Sequence, residues 1–301
     1  LGYTDIPIFS PNSNDGYTGF GLNGTKFRKI TWNGLVFLDC LIKLLNHVRP
    51  REKHLGTTEK LYYHSIQKLI AAIKNDQPLK DLALETSYDF AHIETTDDYR
   101  PLVGLVGEIF LRNNRFTNNH LIEKLEKYGL EVRLATFTEW PLYTSYTFRR
   151  DSFTDRNLKG LLMSNIQILT QQYMEHKVFS AFQKHSDLIE DLSVGRVMQL
   201  ASRYLPLDIE GEAILTIGKA VEMVTNGASG IVNAMPFNCM PGMVVSSLSR
   251  KVSYDLGKVP WLNISYEGLQ DSGEETRLEA FAEQARAFSK LSQDKKEKLI
   301  I

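Results

Sequence analysis

The sequence predicts an α/β fold: an open parallel sheet flanked by helices, with a helical insertion and a preceding, mainly helical segment. Three observations carry this. Short runs with both faces apolar recur after residue 100, as strands of a parallel sheet covered on both sides require. Helical periodicities alternate with those runs. The 301 residues, 43% hydrophobic and 24% charged, are ample for a packed core.

Taken in order, Ile6-Pro-Ile-Phe9 reads as a strand and residues 10–25 are turn formers almost throughout. Leu35, Leu38, Leu41, Ile42 and Leu45 then recur at spacings of three and four, a helix that Arg49-Pro50 stops. A second amphipathic helix is expected over about 57–75 and a third over about 79–94. The texture changes at Arg100. Pro101–Gly107 reads as a buried strand, and Thr117 is expected to cap a helix carrying Leu121, Ile122, Leu125 and Tyr128, closed by Gly129. Glu131–Phe137 is the next strand, which completes a right-handed βαβ unit.

Residues 141–205 contain no convincing strand and read as two or three helices. Alternation resumes with a helix over about 211–225, a strand at Gly230–Met235 and a helix over about 243–256. A last strand at Val259–Ile264 and a helix over 273–290 follow. The chain thus divides into residues 1–99, read as the remnant of an N-terminal α/β domain and mainly helical as present, and 100–290, a Rossmann-like domain with its insertion at about 141–205. Residues 291–301 form a charged tail.

Composition excludes several classes. Thirty-five Lys and Arg against 36 Asp and Glu leave a net charge of −1, without the basic excess of a nucleic-acid binder. No apolar run approaches the roughly 18–20 residues that cross a bilayer, and the first residues lack a signal-peptide pattern. Two cysteines, Cys40 and Cys239, exclude a disulfide framework and favour a cytoplasmic chain, in which the sequons at Asn23 and Asn263 carry no meaning. A first residue that is Leu, opening straight into a strand-like piece, reads as a cut from a longer polypeptide, natural or trimmed for expression.

Some motifs lack their context. Gly19-Phe-Gly-Leu-Asn-Gly24 spells a dinucleotide fingerprint, but a long polar loop separates it from Ile6–Phe9 and no clear βαβ continuation follows. Gly218-Lys219 lacks the spacing and the Ser/Thr of a phosphate loop and reads as helix surface. The seven histidines form no zinc pattern and read as surface or capping side chains, and no G-x-S-x-G elbow occurs.

The informative segment is Gly230-Ile-Val-Asn-Ala-Met-Pro-Phe-Asn-Cys-Met-Pro-Gly242. It puts Cys239 just past the carboxyl end of a buried strand and just before a helix, where open α/β sheets bind ligands. A helix amino terminus favours thiolate, the form that ligates iron or attacks an electrophile. The alternative is a small buried hydrophobe, the expected role of Cys40. Glu108 and Arg112 follow the Val103–Val106 strand on the same sheet edge. Glu108 is a candidate acid/base or partner of the site, and Arg112 a candidate contact for a phosphate or a carboxylate. Asn113, Asn119 and Asn238 are candidate helix caps or hydrogen-bond donors to a cofactor. Glu267 and Asp271 are expected to close the same crevice, with Arg277 solvated.

At these residues the chain resembles a family. Gly107-Glu-Ile-Phe-Leu-Arg-Asn-Asn-Arg-Phe-Thr-Asn-Asn119, the helix and strand up to Glu139-Trp140, Gly211-Glu212, the Cys239 loop and Trp261–Gly268 look like a 2-hydroxyacyl-CoA dehydratase component. The closest likeness is to the dehydratase-like portion of CoA-substrate-specific activase-related proteins. It covers roughly 100–290, and 1–50 more loosely. It implies a low-potential [4Fe-4S] or larger cluster, an ATP-dependent activase as electron donor, in cis or trans, and an acyl-CoA or other small substrate. A homologous subunit or homodimer is also implied. Cys239 falls on the family's third cluster cysteine, with Asn238, Arg112 and Asn113 beside the cofactor. The first two cysteines have no counterpart here, and one thiolate cannot hold a cubane, so this chain alone is expected to be apo and silent. A docking or electron-relay module for the activase, and a generic nucleotide-binding domain, remain as alternatives.

Overall fold

The structure, a computed structural model, describes residues 24–268 and 273–297, with side chains given up to residue 291. The Ile6–Phe9 strand, most of the Gly19–Gly24 motif, Asp271 and the end of the tail lie outside the described residues. Within them the order is α1 (Gly24–Val48), α2 (Thr57–Lys74), α3 (Leu79–Ala91), β1 (Leu102–Gly107), α4 (Ile109–Asn113), α5 (Leu121–Lys127) and β2 (Glu131–Leu134). Then follow α6 (Glu139–Thr154), α7 (Leu158–Phe182), α8 (Val194–Ala201), α9 (Glu212–Thr225), β3 (Ile231–Pro236), α10 (Met240–Asp255), β4 (Trp261–Tyr266) and α11 (Glu274–Glu297).

The four strands form one all-parallel sheet in the order β2-β1-β3-β4. The expected α/β class with a Rossmann-like sheet is therefore what the chain adopts. The chain leaves β1 toward β2 on one side and returns to β3 on the other. Such a reversal is where open parallel sheets place their ligand crevice, here at the carboxyl ends of β1 and β3.

Both faces of the sheet are covered, which is why its strands are apolar on both sides. On one face Val103, Leu105, Val232 and Ala234 pack with Leu121 and Leu125 of α5 and with Leu278, Phe281 and Ala285 of α11. On the other, Val106 and Ile231 meet Ala220 and Met223 of α9. α9 is buried at every residue from Ala213 to Met223 because a helical layer of α1, α6–α8 and α10 covers its outer side.

That layer runs across the expected domain boundary. One hydrophobic core joins Trp32, Phe37 and Phe90 to Leu142, Phe182, Ile214 and Val252, so the residues before 100 pack as one body with the insertion. The boundary is a change of secondary structure, not of packing. The insertion comprises α6, α7 and α8.

Several local expectations also change. The helix expected to be capped by Thr117 starts at Leu121, whose amide is met by Asn118 Oδ1 at 3.3 Å; the Thr117 hydroxyl instead donates to the Asn114 carbonyl. α11 runs to Glu297, so part of the charged tail is helical. Lys219 is no surface residue. It is 2% exposed, its Nζ 2.7 Å from Asp191 and from Glu222, while Asp191 also takes Lys43 at 2.5 Å. Those two cations hold the Asp191 carboxyl far below its ordinary range despite its burial. Beside it, Gly218 lets α8 approach: a Cβ there would lie 2.2 Å from the Val197 carbonyl oxygen. The histidines are exposed and Cys40 is core, as expected.

Candidate functional site

The crevice is built from three segments. β1 ends at Gly107, whose φ of 118° suits glycine alone, and a Cβ there would lie 2.0 Å from the Ala234 carbonyl oxygen. The missing side chain lets β1 and β3 stay paired to their tips, with the Glu108 amide donating to that carbonyl at 2.9 Å. β3 ends at Pro236, and a turn through Phe237 and Asn238 delivers Cys239 to the N-cap of α10. Asn238 is exposed and takes a positive φ of 58°, which asparagine tolerates. The third segment is the start of α9, where Gly211 and Glu212 approach both: a Cβ on Gly211 would lie 3.8 Å from the Pro241 ring, and Glu212 Oε1 accepts from the Ile109 amide at 3.4 Å.

Cys239 is half-buried. Its amide bonds the Pro236 carbonyl and its carbonyl accepts from Met243, so the backbone is fixed while the thiol caps nothing. Phe237, Met240 and Met243 around it, and Phe110 at the start of α4, are each at least 50% exposed. Four large apolar side chains at one sheet edge form a face suited to a partner surface.

The other expected site residues are drawn into the scaffold. Glu108 is the N-cap of α4, its carboxylate accepting from the amides of Phe110 and Leu111 at 3.1 and 2.7 Å. The expectation of Arg112 as a phosphate contact is corrected. It is 2% exposed, because its guanidinium is spent on the carbonyls of Gly107 and Thr136 and on Glu139 at 2.5 Å. Asn113 bonds the Ile109 carbonyl of its own helix, and Asn119 bonds Glu274. Glu267 is exposed just beyond β4, on the same edge, and Arg277 is half-buried in the first turns of α11 rather than solvated.

The residue missed in the sequence is Glu212. Burial, and then the Glu108 charge, push its carboxyl above the usual range. Its signals were its place after Gly211 at a helix start and its membership of the Gly211-Glu212 pair in the family likeness, neither of which gave it a role.

The donor set does not fit the implied cluster unaided. Among the described residues no group of three or more His, Cys, Asp or Glu could hold a metal ion. Cys40 is 3% exposed on α1, inside the large core, and burial pushes its thiol far up. Cys239 is thus a single accessible thiol, where a cubane takes three or four ligands. Cavities lie elsewhere, among them one of about 600 Å³ between α1, α6 and α7 and one of about 480 Å³ between α6, α7 and Glu190–Gly195. Gly24, the last glycine of the fingerprint, is the first residue of α1. Among the described residues no helix is long and apolar enough to cross a membrane. No protein-family model, curated protein or solved structure matches the chain.

Proposed function

We propose that this chain is the α/β part of an iron–sulfur protein of the 2-hydroxyacyl-CoA dehydratase kind, acting in electron transfer driven by an ATP-dependent activase on an acyl-CoA or other small substrate. In this reading Cys239 contributes one thiolate, and the remaining ligands come from sequence or a subunit outside these 301 residues. The observation that supports it is the thiol's station. A half-buried cysteine at the β1/β3 reversal, on a helix N-cap and edged by exposed Phe110, Phe237, Met240 and Met243, is half of a site with a face for the other half. The chain's own residues shape the edge. Arg112 and Glu108 lock the strand tip to α4 and α6, and Glu212, its carboxyl pushed above the ordinary range by burial, lies beside it.

A second reading, a docking or relay module without chemistry of its own, draws on the same edge: Glu108 and Arg112 are occupied and leave no free acid/base pair among them. Iron and sulfide analysis of the anaerobically isolated natural polypeptide separates the two. Cluster-level iron lost on Cys239→Ser supports the first; an iron-free protein that still binds an ATP-dependent activase supports the second.

A further inference from the structure

The cavity of about 600 Å³ between α1, α6 and α7 is elongated and divided in its chemistry. α1 and α7 run the same way along it. The Trp32 indole donates to the Gln171 carbonyl at 3.0 Å, and further along both helices Phe37 meets Phe182 edge-on. The α7 wall is one stripe, Met163, Ile166, Gln167, Thr170, Gln171 and Met174, at the three- and four-residue spacing of a single helix face. At 1.5 Å per residue that stripe is about 16 Å long. Such a cavity takes an extended chain better than a compact ring.

Charge and apolar surface occupy opposite ends. Thr25, Arg28 and Lys29 stand at the end where α1 begins, whereas Trp32, Leu35 and Met174 lie at the other. Among the described residues nothing in the cavity opposes the two cations. α7 carries no charged residue from Gly160 to Met174, α6 contributes Pro141 and Thr144, and no carboxylate lines the cavity. Arg28 and Lys29 are exposed and form no hydrogen bond or ion pair with a described residue. The positive end of the α1 dipole lies at the same place, with no acidic residue in its first turn.

We propose that this cavity binds a long-chain fatty acid, its carboxylate on Arg28 and Lys29 and its hydrocarbon along the α7 stripe toward Trp32 and Met174. Charge complementarity selects the head: two unopposed cations accept an anion and reject a cation on a tail of equal length. The apolar wall selects the tail, because each methylene taken from water tightens binding about fourfold. Met163 and Met174 give that wall the pliancy a flexible chain needs. The bound chain also covers Met163 and Ile166, which are 57% and 56% exposed without it. No residue of the Cys239 edge lines this cavity, so the proposal stands or falls separately from the functional reading.

Isothermal titration calorimetry of the intact chain with sodium dodecanoate, kept below micelle formation, tests it. One dodecanoate per chain should bind with a micromolar Kd, and decanoate, two methylenes shorter, about tenfold more weakly. Dodecyltrimethylammonium, equal in length and opposite in charge, should not bind. Arg28→Gln with Lys29→Gln should raise the dodecanoate Kd at least about tenfold, with an unchanged far-ultraviolet spectrum. Ile166→Glu, a carboxylate set in the apolar wall, should abolish binding. Phosphatidylglycerol vesicles should leave the chain in the supernatant on sedimentation. An absence of saturable heat, which a cavity already filled by residues 1–23 would give, overturns the proposal. So do equal binding of the ammonium analogue, a Kd unchanged in either variant, or sedimentation with the vesicles, which would make this face a bilayer contact.

Discussion

Arg112 and Glu139 form a buried ion pair, Nη2 to Oε1 2.5 Å, that ties the α4 segment after β1 to the first turn of α6. The same guanidinium bonds the carbonyls of Gly107 and Thr136, so one side chain holds the tips of β1 and β2 beneath the crevice.

Removing one partner of such a pair strands a buried charge. Arg112→Met should destabilise by about 3–5 kcal/mol in urea unfolding, and the double variant with Glu139→Leu should recover much of the loss. A double variant no more stable than the single one would show that the carbonyl contacts, not the ion pair, carry the effect.

Gly107→Ala adds a Cβ 2.0 Å from the Ala234 oxygen at a φ of 118°. Strain and the parted strands should cost about 3 kcal/mol or more, read as a lower midpoint in denaturant or loss of soluble protein. A midpoint within error of the parent would mean that β1 and β3 do not meet so closely.

Thiol accessibility separates the two cysteines. Native protein treated with iodoacetamide should be alkylated at Cys239, while Cys40 should react only at the rate of unfolding. Mass spectrometry of the peptides reads both, and equal labelling would contradict the assigned burial.

Glu175 makes stability fall with rising pH. Its folded pKa is raised from 4.5 to about 7, so the folded state binds the proton more tightly than the unfolded one. The carboxyl therefore costs nothing below about pH 4.5 and destabilises progressively up to about pH 7, where the loss levels off at on the order of 3 kcal/mol. Glu175→Gln should match the parent at pH 4.5 and exceed its melting temperature at pH 8. A gap that does not grow with pH would refute the assignment.

The sheet was legible because parallel strands, covered on both faces, leave continuous apolar runs such as Val103–Val106 and Ile231–Ala234. Cys239 was legible for a related reason: strand, Pro-bracketed loop and helix are local features, and together they fix its station. Glu108 and Arg112 were placed on the right edge but not in their roles. α4 is five residues long, too short for a periodic signal, so nothing marked Glu108 as a cap. Arg112 meets Glu139 across 27 residues, a pairing that no spacing encodes. Lys219 misled for the opposite reason. A lysine on a helix reads as solvated until the helix is known to lie between two layers with Asp191 waiting inside.

The most direct measurement is iron and acid-labile sulfide per chain in the natural polypeptide isolated without oxygen, with and without Cys239→Ser. About four or more irons per site are expected, as a cubane requires, and their loss when the sulfur is replaced. Iron that survives Cys239→Ser unchanged would contradict it.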